Sequence, residues 1–207
     1  MSKTSGGAMA NRTLIDQAAE CLDNGGVVFL PTDTVFGLAV RPDRPEAVAR
    51  LFALKARPAQ RNLPVMVSSK AQLEAIGAEV NERVERLMNS PFCPGPLSIA
   101  LGLDRDASPD WLAGRDEIAF RMPDDRFLLD LLDTAGPLLV TSANRHGMGT
   151  LGSVEAALAQ LEGKPDMVID GRECGSVPST LVNCRFAPPK IERVGAVSPE
   201  ALEEYFN

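Results

Sequence analysis

Four short segments place cations, hydroxyls and amides where the chain changes direction. The first is Lys55-Ala56-Arg57, continued by Pro58-Ala59-Gln60-Arg61-Asn62, three cations after a helical pattern and before an apolar run. Guanidinium forks match phosphate oxygens two at a time, and a lysine adds a mobile point charge. A cation run also reads as a solvated face, but its position at a strand end tilts it toward an anion site. As loop cations, Lys55 and Arg57 are expected to contribute little to stability. The second is Thr141-Ser142-Ala143-Asn144, whose short side chains can orient a phosphate or cap a turn. The third runs from Pro31 through Thr32, Asp33 and Thr34 to Gly37, where two hydroxyls can hold a small polar ligand or close a turn. The fourth combines Arg121, emerging from Ile118-Ala119-Phe120, with Ser179-Thr180 and Arg193, a set able to bind a carboxylate.

Other chemistries find little support. The chain has one histidine, His146, and four cysteines (Cys21, Cys93, Cys174, Cys184) without a CxxC pair. A Ser-His-Asp triad and a His-rich metal centre are nearly excluded, and the cysteines read as thiols in a reducing compartment. Cations and hydroxyls without a catalytic base suit a reaction on an already activated phosphate, which relies on positioning and charge stabilisation. A net charge of −7 argues against nucleic-acid binding as the main activity, although a local basic cleft is compatible with it. The lack of an 18–20-residue apolar run or a signal-peptide core predicts a cytoplasmic protein without a membrane span.

These residues need elements to hold them. Apolar periodicity predicts a helix from the Thr13 cap through Leu22, ended by Asn24-Gly25-Gly26, and further helices over 45–54, 70–88, 124–132 and 153–161 and from Ser198. Strands are predicted over 27–30, 63–68, 97–101, 117–121, 138–141, 167–170, 179–184 and 191–193. Interleaved strands and helices in 207 residues predict one α/β domain around a twisted mixed sheet. Residues 1–11 are expected to be a flexible lead-in, and residues 12–207 the domain.

The motifs, taken in order, resemble the YrdC/TsaC family of L-threonylcarbamoyladenylate synthases. The stretch from Pro31 to Leu38 is similar to its PTDTVYGL motif, and Lys55-Ala56-Arg57 with Ser142-Ala143-Asn144 to its KxR and SxN pair. Pro94-Gly95-Pro96-Leu97, Arg121-Met122-Pro123 and Ser179-Thr180-Leu181-Val182 match three further segments, so the likeness extends over nearly the whole chain. It implies helices flanking a sheet with a concave cationic cavity. It also implies a reaction of L-threonine, bicarbonate and ATP that yields threonylcarbamoyl-AMP and pyrophosphate for tRNA modification. The resemblance assigns L-threonine to Thr34, Met66, Arg121 and Ser179, and the nucleotide to Arg57, Arg61, Ser142, Thr150 and Arg193. Lys55, Arg57, Ser142 and Asn144 would form the catalytic set. Mg2+ would arrive on the ATP phosphates, and the product would pass to tRNA-threonylcarbamoyl transfer proteins, with weak tRNA or double-stranded RNA contact. The chain departs from the pattern at Phe36 (usually tyrosine), Cys93, Val194 and the loop from Arg145 to Thr150. Two alternatives stay open: a paralogue of the same fold that adenylates another carbamate, and a double-stranded RNA or tRNA-binding module.

Overall fold

The computed structural model describes residues 4–58, 62–170 and 173–206. Helix α1 (Thr4–Asp23) leads into β1 (Val28–Leu30) and β2 (Gly37–Val40), followed by α2 (Pro45–Leu54) and β3 (Val65–Met66). Two short helices, α3 (Lys70–Glu74) and α4 (Glu82–Met88), precede β4 (Leu97–Gly102) and β5 (Glu117–Arg121). Then come α5 (Arg126–Ala135), β6 (Leu138–Ser142), α6 (Val154–Ala159), β7 (Met167–Val168), β8 (Thr180–Asn183), β9 (Lys190–Arg193) and α7 (Pro199–Leu202).

Local chemistry sets most of these boundaries. Pro45 opens α2 with the fixed φ of a first turn. The Asp125 carboxylate accepts from Leu128 N at 2.8 Å, and Gly136 ends α5 at φ +79°. Asn81 caps α4, and Ser69 caps α3. The expected start at Thr13 is corrected: α1 begins at Thr4 and Thr13 lies inside it. No proline interrupts residues 4–13, and Ala8, Met9, Ala10 and Arg12 are good helix formers. Strand β2 was not expected, because it begins within the Pro31–Leu38 segment read as a ligand-binding turn. It is buried on both faces, so it lacks the alternation that marks a half-exposed strand.

Among the described residues the sheet has nine strands in the order β7-β1-β2-β6-β3-β5-β4-β8-β9. It is mixed as expected: β1/β7, β3/β5 and β4/β8 are parallel pairs, and the rest are antiparallel. One face carries Phe29, Leu38, Val65, Ile99, Phe120 and Val182 and is covered by residues of α2, α3, α4, α6 and α7. The opposite face is covered only in part. There α1 and α5 pack Ile15, Ala18, Leu22, Leu128, Leu131 and Leu132 onto Val28, Leu30, Ala39, Leu138 and Val140. The β5-β4-β8 portion of that face carries Ala119, Arg121, Ser98, Ala100 and Leu181, which line a cavity instead of a helix contact. Period-2 alternation along β5 makes this division visible, with Ile118 and Phe120 in the core and Glu117, Ala119 and Arg121 on the cavity side. All four cysteines are free, with Cys93 and Cys184 buried.

Phe120 is fully buried at the centre of the sheet. Its replacement in Phe120→Ala is expected to lower the unfolding free energy by about 3–5 kcal/mol. The urea unfolding midpoint followed by circular dichroism measures this.

Candidate active site

The uncovered part of the sheet forms a cavity of about 410 Å3, within the range of roughly 300–1,000 Å3 usual for small-molecule sites. Its wall is built from the β1–β2 loop, the segment after α2, the inward face of β5, β4, β8 and β9, and the end of β6. Four guanidinium groups (Arg57, Arg115, Arg121, Arg193) and two carboxylates (Glu117, Glu192) line it. The lining charge is therefore positive in a protein of net charge −7.

Arg121 is the most constrained of these cations, at 5% exposure. Its Nε donates to Gly95 O at 2.9 Å, and Nη1 to Thr34 Oγ1 at 2.7 Å. Its Nη2 lies 2.7 Å from Asp33 Oδ2 in a buried ion pair, off the axis of a regular hydrogen bond. Burial pulls the guanidinium pKa down, and Asp33 opposes that shift. The local turns exist to make these contacts. Thr32 Oγ1 accepts from Thr34 N and Val35 N, each at 3.1 Å, and donates to Val35 O at 2.6 Å, curling the Pro-Thr-Asp-Thr segment so that Thr34 faces Arg121. Gly95 has φ +148°, and a Cβ there would stand 2.9 Å from Phe92 O, so the Pro-Gly-Pro turn admits only glycine.

Ser179 Oγ lies 2.8 Å from Ser98 Oγ, and Arg193 donates to Ser179 O from Nε at 3.1 Å and from Nη2 at 2.8 Å. Gly195 permits this closure, since a Cβ there would lie 2.2 Å from Pro178 O. Burial, reinforced by the Arg121 charge, pulls the Arg193 pKa down. On the far side, Arg57 donates to Thr141 Oγ1 at 3.3 Å and to Asn62 O at 3.1 Å, with its guanidinium 5.9 Å from the Phe52 ring centre.

Lys55 behaves otherwise than a loop cation. It is 2% exposed and does not line the cavity. Its Nζ donates to Ser142 O, to Asn144 O at 2.7 Å and to Asn144 Oδ1 at 3.3 Å. Burial, with the Arg57 charge second, pushes the ammonium down to about 7. The three oxygens around Nζ oppose that shift, because only the ammonium has three protons to give. Asn144 is equally occupied. Its Oδ1 accepts from Ser142 Oγ and Lys55, and its Nδ2 donates to Arg145 O at 3.1 Å and to Met148 O. Together they clamp the end of α2 to the end of β6 and shape the loop that follows. The expectation that Lys55 matters little for stability is therefore corrected.

The structure thus brings Thr34, Arg57, Met66, Arg121, Ser142, Ser179 and Arg193 into one cavity. Lys55 and Asn144 stand behind its wall. Thr150 does not line it and instead donates to Ser176 O at 2.6 Å. Arg61 lies outside the described residues. His146 is exposed and takes no part in the cavity. Sequence reading missed Ser98, Arg115, Glu117 and Glu192. The alternation that places Arg121 on the open face also carries back through Ala119 and Glu117 to Arg115, and that was the available signal.

Fold and site together define an α/β protein with an arginine-lined cavity on a half-covered sheet. The family model Sua5/YciO/YrdC, described as telomere recombination, matches residues 20–195. The chain belongs to the Sua5/YciO/YrdC family. It is similar to the threonylcarbamoyl-AMP synthase of Bacillus subtilis, 34% identical over 93% of this chain and 56% of that protein. Among solved structures it is similar to Pyrococcus abyssi Sua5 complexed with L-threonine, with TM-score 0.82 and 33% identity over 92% of this chain and 56% of that one. It is also similar to E. coli YciO, with TM-score 0.81 and 27% identity over 95% and 94% of the two chains. The chain spans about half the length of the Bacillus, Pyrococcus and fission-yeast relatives it matches. Among the described residues no helix is long and apolar enough to cross a membrane.

Two substitutions test the site architecture. Asp33→Ala leaves a buried guanidinium without its counter-ion and is expected to cost about 3–5 kcal/mol of stability. Adding Arg121→Met should recover part of that loss, which a double-mutant cycle by urea unfolding measures. Lys55→Met strands two carbonyl oxygens and is expected to cost about 1–3 kcal/mol. In that variant hydrogen exchange should rise chiefly in residues 144–150.

Proposed function

We propose that the chain is a nucleotidyltransferase that makes L-threonylcarbamoyl-AMP and pyrophosphate from L-threonine, bicarbonate and ATP. The observation that carries this reading is the joining, in one cavity, of a fixed guanidinium suited to a carboxylate with a second group of cations and hydroxyls suited to phosphates. Arg121, held by Gly95, Thr34 and Asp33, has a further N–H on Nη1 to offer a carboxylate. Thr34 and Ser179 supply hydroxyls beside it, and Met66 supplies apolar surface for the threonine side chain. Arg57, Ser142 and Arg193 face the nucleotide.

In this reading the threonine amine adds to carbon dioxide derived from bicarbonate, forming the N–C bond and shedding a proton. A carbamate oxygen then attacks the α-phosphorus, an O–P bond forms, and pyrophosphate leaves with the electron pair of the broken anhydride. The cavity's contribution is to hold two anions close despite their repulsion and to stabilise the charge that develops on the phosphates. Lys55 and Asn144 keep the Ser142 loop in place. Mg2+ would arrive on the triphosphate oxygens, where it would offset the charge of the phosphates. The product would be passed in the cytoplasm to proteins that transfer the threonylcarbamoyl group to tRNA.

Pyrophosphate release from ATP and bicarbonate, assayed across a panel of amino acids, tests this directly. Release should depend on L-threonine; release that is equal with all amino acids, or absent with every one, would reject the reading. Arg121→Lys keeps the charge near Asp33 but removes the fork. It is expected to raise the threonine KM about tenfold or more, with the ATP KM changed far less.

A further inference from the structure

Along β5 and the residues leading into it, Arg115, Glu117, Ala119 and Arg121 all line the cavity, at the period that puts side chains on one face. Glu117 to Arg121 is four steps of about 3.3 Å, roughly 13 Å along the strand, and Arg115 lies two residues before it. Arg121 has an ion pair and two hydrogen bonds to hold it. Arg115 does not: its Nη1 is buried without a hydrogen-bond partner, and among the described residues no carboxylate pairs with it. The nearby acids are already engaged. Asp116 and Glu117 meet Arg185 at 3.3 and 3.2 Å, and Asn183 Nδ2 bridges Glu117 and Glu192 at 3.0 and 2.9 Å. Burial, with no anion to offset it, pulls the Arg115 guanidinium below its ordinary pKa. Burying an uncompensated cation is costly. A ligand that supplies the missing negative charge would relieve the cost on binding.

We propose that Arg115 is a binding residue for the phosphate oxygens of the nucleotide, at the end of the cavity remote from Arg121. This rests on the adenylating reading above and adds a contact to it. An amino acid joined through a carbamate to a phosphate is an extended ligand with anions at separated points. Arg121 receives one of them, and the guanidinium of Arg115, two residues before β5 begins, receives another. Arg185 offsets the charge of Glu117, and the Asn183 amide holds Glu192 in place, so Arg115 is the cation this part of the wall offers to a triphosphate.

The test is Arg115→Gln, with Arg115→Lys beside it, titrated with ATP, inorganic tripolyphosphate, adenosine and L-threonine. In Arg115→Gln, affinity for ATP and tripolyphosphate should fall at least tenfold, while adenosine and L-threonine bind within twofold of wild type. Arg115→Lys should recover part of the loss. The melting temperature of ligand-free Arg115→Gln should be unchanged or higher, because a buried unpaired charge is gone. Unchanged ATP and tripolyphosphate binding in Arg115→Gln, with both bound by wild type, overturns this proposal alone. So does a weakening confined to adenosine. A fall in melting temperature with uniform loss of all four ligands would assign Arg115 to the framework and overturn it as well. Wild type that binds neither ATP nor tripolyphosphate would bring down this proposal together with the adenylating reading.

Discussion

A sheet this wide presents two faces to water, and the helices of this chain cover one of them and only part of the other. Helices α1 and α5 stack on β1, β2 and β6, and among the described residues nothing comparable reaches β5, β4 and β8. An exposed sheet face of that size would be a sticky apolar surface if it were built from core residues. Here its inward positions are, apart from Leu181, small or polar instead: Ala100, Ala119, Ser98, Glu117 and Arg121. The site is therefore a consequence of incomplete layering, and its chemistry is what the strands carry where a helix would otherwise lie.

Polar residues so placed have to be held, and the loops at the strand ends hold them. The Pro-Thr-Asp-Thr turn supplies both the counter-ion and a hydroxyl to Arg121, and the Pro-Gly-Pro turn supplies a carbonyl. The turn from Pro178 to Ser179 and the Arg193 segment grip one another across β8 and β9. Each motif that stands out in the sequence is therefore half cavity lining and half brace. The cost of burying charge beside a cavity is borne by these braces.

The loop after β6 is the place where this chain differs most from its family pattern. Its first turn is fixed by Lys55 and Asn144, while Met148 and Leu151 beyond it are exposed. A lysine enclosed by three oxygens and an asparagine with every position engaged leave the start of that loop little freedom. Variation in the following residues can be accommodated without disturbing Ser142, because the clamp lies on the core side of the loop.

Local signals were enough for part of this. Strand β5, helix α2 and the capped helices follow from alternation, Pro45 and the Asp125 and Asn81 caps, because those forces act within a few residues. The motif residues were likewise visible as cations and hydroxyls at strand ends. Strand β2 was hidden because a strand buried on both faces shows no alternation. Lys55 was misjudged because its burial depends on carbonyl oxygens 87 and 89 residues away. Arg115 drew no notice, since its isolation arises from where Arg185 and Asn183 send the neighbouring carboxylates. The sequence alone determined which side chains could bind anions. Only the tertiary structure decided which of them face an empty half-sheet, because that depends on which strands the helices fail to cover.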